Sequence, residues 1–378
     1  MGTSYTWHQG SDWINPRWGI PVALLPDEIL SSWLLRAALS FGCDPLVLTS
    51  SIWPKWRIWT TDLDRSMEIG RLKSLSYISG IPSQCIEASM LKKTAVLVAG
   101  KELTSNRVWP WILALGSRNR RRNGGLQYCP ECLSRDLKPY FRIQWRFAWH
   151  TACVEHQVLL IDRCPTCKAP LEPSRLSVTD GTLTKCPSCK SDIRNVKGHP
   201  AILNAMLFQK QADRVVLDQK ATYGSNQIES SEWFCLTRHF ISLIRRASCR
   251  NTGKFTNLID ALQINTKSDL IENSGVFELL PVMDRAILVS ESLKLLTAGP
   301  QLFLKNALSG SVTVQALKAS RDRVPACFDK ILQELPTHQR KPYTNSVLIL
   351  SNKPRTKAQV MRMWAQLLRK IPKVNRNE

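Results

Sequence analysis

Between residues 129 and 189, seven cysteines and one histidine fall into four pairs, each pair separated by two residues. They are Cys129/Cys132, Cys153/His156, Cys164/Cys167 and Cys186/Cys189, within the strings CPEC, CVEH, CPTC and CPSC. Disulfide frameworks rarely use such tight pairs. A knuckle turn points two side chains three residues apart at one cation, and tetrahedral Zn²⁺ takes four such ligands. Two knuckles complete one site, so the eight residues predict two structural zinc sites. The segment C-x2-C-x18-C-x2-C has zinc-ribbon spacing, and C-x2-C-x20-C-x2-H is slightly longer but of the same kind. Redox dithiols and an iron–sulfur cluster are the alternatives for such cysteines.

The pairing of knuckles has two solutions. Sequential pairing joins Cys129, Cys132, Cys153 and His156, then Cys164, Cys167, Cys186 and Cys189. A cross-brace, as in RING domains, joins the first knuckle to the third and the second to the fourth. RING domains place only two or three residues between the His and the next Cys, whereas seven separate His156 from Cys164, so sequential pairing is favoured. With four protein ligands, neither site keeps an open position for water or substrate. His150, three before Cys153, is read as an ordinary histidine. Cys43, Cys85, Cys235, Cys249 and Cys327 are isolated and read as small core residues.

Around this segment the periodicity is mostly helical. Leu30, Trp33, Leu34, Ala37 and Phe41 line one face of a helix over 26–42, with Asp27 as N-cap and Gly42 as stop. The Trp-rich stretch from Trp53 to Trp59 reads as core or groove packing before base stacking. Residues 66–93 read as a helix-turn-helix turning at Gly80. Its second helix shows Ser83, Gln84, Glu87 and Ser89 outward, a surface as suited to protein as to DNA. From 201 onward the pattern is predominantly helical, with a break at Gly299-Pro300 and a second helix-turn-helix candidate over 311–335. Residues 356–370, with Val360, Met363, Trp364 and Leu367 in one stripe, read as a basic amphipathic helix. The expected fold is thus predominantly α with small zinc-stabilised modules. It divides into an N-terminal helical domain (1–118), a tandem zinc finger or ribbon domain (119–200) and a basic helical C-terminal domain (201–378).

Charge narrows the partner. Fifty-two Lys+Arg against 30 Asp+Glu leave a formal charge of +22, more than solubility requires. An apolar fraction of 43% means the chain buries real cores and is no disordered basic tail. The surplus predicts a polyanion, nucleic acid ahead of an anionic membrane surface. Residues 101–200 carry 17 Lys/Arg against 8 acids, and residues 338–378 carry ten against one. The phosphate contacts expected from these runs are Arg118, Arg120, Arg121 and Arg122, then Arg321, Arg323 and Lys330, then Arg355, Lys357 and Arg362. Arg142 and Arg146, close to Tyr140, Trp145 and Trp149, are expected to pack on those rings instead. No run approaches the roughly 20 apolar residues of a membrane span, and no secretory signal is visible at Met1–His8; both favour a cytoplasmic protein. P-loop, serine-elbow and HExxH patterns are missing from the sequence, so no enzymatic activity is expected.

The stretch YCPECLSRDLKPYFRIQWRFAWHTACVEHQVLLIDRCPTCKAPL resembles the hallmark of the TniQ/TnsD family, target-selection proteins of heteromeric bacterial transposons. PDEILSSWLLRAALSFG is similar to the family's N-terminal helix, and the resemblance covers roughly residues 20–200. It implies an adaptor without chemistry of its own, with the eight Cys/His residues as zinc ligands. Such an adaptor binds double-stranded target DNA at the bacterial nucleoid. It recruits an AAA+ ATPase regulator of the TnsC or TniB kind and, through it, the transposase. The alternative within the family is an adaptor docked on an RNA-guided CRISPR effector complex, and some relatives form homodimers. A RING-type ubiquitin ligase is the remote alternative.

Overall fold

Burial of Leu30, Trp33, Leu34 and Ala37 drives the first helix, which begins where their stripe begins. The computed structural model describes residues 18–101, 103, 108–115, 125–249, 253–266, 276–318, 324–337 and 356–368. In it, helix α1 spans Leu30–Ser40 and buries those four side chains. Asp27 does not cap it: the N-cap is Ile29, and Asp27 sits at φ 55°. The cause is tertiary. The Asp27 carbonyl accepts the Ile143 N–H at 2.7 Å, and the Ile29 N–H donates to the Phe141 carbonyl at 3.1 Å. Residues 27–29 are thereby held outside the helix. Glu28 serves the first turn instead, accepting Ser32 Oγ at 2.8 Å and the Arg36 guanidinium. Gly42, at φ 64°, follows the helix end as expected.

Helix α2 (Pro45–Ile52) leads into the Trp-rich stretch. Trp53 is buried, and half-buried Trp56 and Trp59 pack against the same core, so these rings are chiefly structural. Helices α3 (Ile69–Ser79) and α4 (Ser83–Ala88) flank Gly80 at φ 72°, and α5 (Lys92–Ala99) follows. Leu72, Leu75, Ile86 and Met90 are buried in the core, with Ile78 and Cys85 half-buried against it. Ser89 does not face outward: it is buried and its hydroxyl donates to the Ile86 carbonyl at 2.7 Å.

The central segment has little regular structure, namely α6 (Pro130–Arg135) and the two-residue strands β1 (Ala152–Cys153) and β2 (Val158–Leu159). Helix α7 (Leu203–Asp218) then opens the helical half. An antiparallel hairpin, β3 (Lys220–Tyr223) and β4 (Asn226–Glu229), interrupts it, pairing Tyr223 with Asn226 across a turn where Gly224 takes φ 63°. The expectation of a predominantly helical stretch did not include this hairpin. Helices α8 (Ser230–Cys249), α9 (Gly253–Ala261) and α10 (Val282–Ser309) follow, with α10 packed on α7 and α8. As expected, α10 kinks at Gly299, whose φ of 68° and ψ of 178° precede Pro300. The second helix-turn-helix candidate becomes two short pieces, α11 (Val314–Lys318) and α12 (Asp329–Glu334). Val312, Val314, Leu317, Phe328 and Ile331 in and around them are buried.

The chain divides into two units, Met1–Pro336 and Thr337–Glu378. The first holds two apolar clusters: one around α1 to α4, the other running from Ile29 through the cysteine-rich segment to Leu335. In the second unit α13 (Lys357–Leu368) is the expected helix, but Val360, Met363 and Trp364 of its stripe are exposed. Among the described residues, no helix is long and apolar enough to cross a membrane.

Candidate metal centres and their supports

Three of the four knuckles end alike. Gln157, Lys168 and Lys190, each directly after the second residue of its pair, take φ of 53°, 58° and 61°. That left-handed step reverses the chain, so both side chains of a pair point one way. In the two Cys-Pro-x-Cys turns of the second half the Lys168 N–H donates to the Cys164 carbonyl at 3.0 Å, and the Lys190 N–H to Cys186 at 2.9 Å. The first knuckle differs: Pro130 at a helix start lets Cys129 and Cys132 sit at the N-terminal turn of α6.

The knuckles combine sequentially. Cys129, Cys132, Cys153 and His156 form one group, and Cys164, Cys167, Cys186 and Cys189 the other. Within each, the ligand atoms all lie within 4.8 Å of one another. The cross-brace is thereby ruled out. In the first group His156 Nδ1 faces the three sulfurs, at 3.5 Å from Cys129, 3.3 Å from Cys132 and 3.4 Å from Cys153. Cys132 and Cys153 are 3.6 Å apart, and the second group has two Sγ···Sγ separations of 3.7 Å. A disulfide would need about 2.05 Å. A tetrahedron with metal–sulfur bonds of about 2.3 Å has edges of about 3.8 Å. The spacing therefore suits four ligands around one metal ion in each group. His156 Nε2 is buried without a hydrogen-bond partner, consistent with Nδ1 being the ligand atom.

His150 belongs to neither group. Its Nε2 lies 2.7 Å from Asp213 Oδ1 on α7, and the Trp149 indole N–H donates to the same oxygen at 2.8 Å. Burial works to raise the Asp213 carboxyl, but His150 and the Trp149 donor outweigh it and hold it below the usual range. One turn earlier, Gln209 accepts the Thr151 and Ala152 N–H groups and donates to the Ala152 carbonyl, clamping the backbone that leads into Cys153. From α10, fully buried Arg285 donates to the Ala148 carbonyl at 2.7 Å and to Gln127 Oε1 at 2.8 Å.

Arg142 and Arg146 part company. Arg142 lies over the Tyr140 and Trp145 rings at 4.5 and 4.9 Å, as expected, and also forks onto Asp136. Arg146 does not pack on rings. It is 2% exposed and bonds Asp62 and Asp64, each at 2.7 Å, and the Leu113 carbonyl at 3.0 Å. Burial pushes the Asp64 carboxyl up to about 6 against the lowering pull of Arg146. The sequence carried a trace of this in the Asp-x-Asp of TTDLDR, but nothing local links it to a residue more than eighty positions away.

Of the basic residues expected to meet phosphate, Arg118, Arg120, Arg121, Arg122, Arg321, Arg323 and Arg355 lie outside the described residues. Lys330 is exposed on α12, as are Lys357 and Arg362 on α13. Cys43, Cys85, Cys235 and Cys327 are half-buried rather than deep in the core, and the side chain of Cys249 lies outside the described residues.

No curated protein matches the chain. A family model does: residues 20–160, from ahead of α1 to just past His156, match TniQ. The segment includes the whole first metal group, and over it the chain is similar to the TniQ family.

Proposed function

We propose that the protein is a non-catalytic target-selection adaptor of a heteromeric bacterial transposon. In this reading it binds double-stranded target DNA, recruits an AAA+ ATPase regulator and, through it, the transposase. The observation that carries the reading is the TniQ match over residues 20–160. The +22 surplus and its two basic stretches support contact with a polyanion. Residues 1–118, 119–200 and 201–378 act as helical, metal-stabilised and basic helical domains respectively. Zn²⁺ is the metal assigned to both groups, because three thiolates with an imidazole, or four thiolates, in tetrahedral spacing are the donor sets of structural zinc. When bound, it contributes folding energy rather than Lewis-acid chemistry. The chain's residues supply eight ligands and the backbone turns that aim them.

The test is a gel shift of the purified chain on transposon-flanking and random duplex DNA, with and without an AAA+ ATPase regulator of the TnsC or TniB kind. Flanking DNA should be preferred, and the ATPase should supershift the complex. Each phosphate neutralised should steepen the dependence of log K on log salt by about 0.9. No binding to either DNA, or a flat salt dependence, would overturn direct DNA contact. A missing supershift would overturn recruitment of the ATPase.

A further inference from the structure

The two ligand groups are unequally protected. In the first, Cys129, Cys132 and Cys153 are 0, 5 and 8% exposed, and the His156 side chain 2%. Gln209 of α7 secures the strand that carries Cys153. In the second, Cys164 and Cys186 are buried, but Cys167 and Cys189 are exposed. Each of these exposed cysteines is the last residue of its knuckle, beside an exposed lysine, Lys168 or Lys190. Beyond its fellow ligands, the polar neighbour of Cys189 Sγ is the Ser191 hydroxyl at 3.0 Å. A thiolate bound to metal keeps lone pairs, and its oxidation is governed by thiolate character and by access to the sulfur. Four-ligand chemistry supplies thiolates at both centres, whereas access exists only at the second.

We infer that Cys167 and Cys189 form a thiol-oxidation site through which a small hydroperoxide releases the metal of the second centre and spares the first. The thiolate attacks a peroxide oxygen, the O–O bond breaks with release of hydroxide from hydrogen peroxide (alkoxide from an organic hydroperoxide), and the sulfur becomes a sulfenic acid. A second thiolate then attacks that sulfur, expels a second hydroxide and closes a disulfide. Two thiolates lose two electrons in all, the peroxide gains them, and the divalent metal leaves with two of its four donors gone. Partners are at hand, Cys164 at 3.7 Å from Cys189 and Cys186 at 3.7 Å from Cys167.

This rests on the reading that both groups hold zinc, so the full chain is first assayed for metal, with two equivalents expected. Hydrogen peroxide is then added in the presence of a chromophoric zinc chelator. Oxidised ligands are located by differential alkylation and mass spectrometry. One equivalent should leave at least about tenfold faster than the other, with oxidation confined among the eight ligands to Cys164, Cys167, Cys186 and Cys189. Dithiothreitol plus zinc should restore the second equivalent. Release of both equivalents together, retention of both, or earlier oxidation of Cys129, Cys132 or Cys153 would overturn the proposal. Fewer than two equivalents before peroxide would overturn the two-zinc reading itself.

Discussion

Arg146 shows what a single buried charge asks of its surroundings. A guanidinium taken out of water costs several kcal/mol unless carboxylates and carbonyls replace the lost hydration. Here Asp62, Asp64 and the Leu113 carbonyl do so, tying the turn before α3 to the segment between the first two knuckles. Replacing Arg146 by Leu leaves Asp64 in a low-dielectric pocket without its cation, while Asp62 keeps Arg65 at 3.2 Å. The Arg146→Leu variant should lose about 3–5 kcal/mol in urea unfolding. Adding Asp62→Asn and Asp64→Asn to it should recover part of that loss. A loss below about 1 kcal/mol, the range of exposed pairs, would show that water reaches the site. Arg142 and Arg146, with only three residues between them, also mark the limit of what local pattern encodes. Both lie among aromatics, and both were expected to stack. A 3-10 turn over Ile143–Arg146 sends the second inward to acids more than eighty residues away, a pairing that local pattern does not encode.

Among the elements, the knuckles were the most legible because their chemistry is local. Cys-x-x-Cys spacing states which side chains share a cation, and sequential proximity states which knuckles meet. What spacing left unstated is the left-handed residue that closes each turn, because Gln157, Lys168 and Lys190 are not the glycines usually found there. Their left-handed conformation carries a modest penalty, which metal binding at the proposed zinc sites would offset. Lys168→Gly should therefore hold zinc at least as tightly as the native chain. Lys168→Val, β-branched and ill-suited to positive φ, should weaken it by about 1–2 kcal/mol, or roughly five- to thirty-fold. Competition against a chelator of known affinity measures both, and equal affinities for the two variants would refute the role of the turn. The hairpin β3–β4 was missed for the opposite reason. Its signals, Thr and Tyr before Gly-Ser and Ile after, are only a few residues long between two strong helices. Its position is set by tertiary contact: a Cβ on Gly224 would meet the Pro300 ring at 2.7 Å, so the turn fits against the kink of α10.

Within residues 1–336, metal and helices share one interior. Cys129, Cys132, Cys153, Cys164 and Cys186 belong to the same apolar cluster as Phe208 of α7, Phe234 of α8 and Leu288 of α10. Polar clamps add to it, Gln209 and Asp213 from α7 and Arg285 from α10 together gripping residues 148–152 ahead of Cys153. Sequence alone suggested a metal-stabilised domain between two helical ones, with chelation unfolding the metal-stabilised segment. The continuity of the cluster changes the expectation. Structural zinc sites contribute folding energy directly, and if both groups hold zinc as proposed, that energy would also hold the surface on which α7 and α10 pack. Hydrogen exchange on the chelated chain should show lost protection across 126–199, in α7, and in α10 ahead of its kink at Gly299. The cluster around Trp33, Leu34 and Leu75 has no ligand cysteine in it and should keep more of its protection. Loss confined to 126–199 would show that the helical half stands without the metal centres. Loss that reached α1 and α3 equally would show that Arg146 and the strand-like contacts of Asp27 and Ile29 transmit the collapse to the N-terminal core.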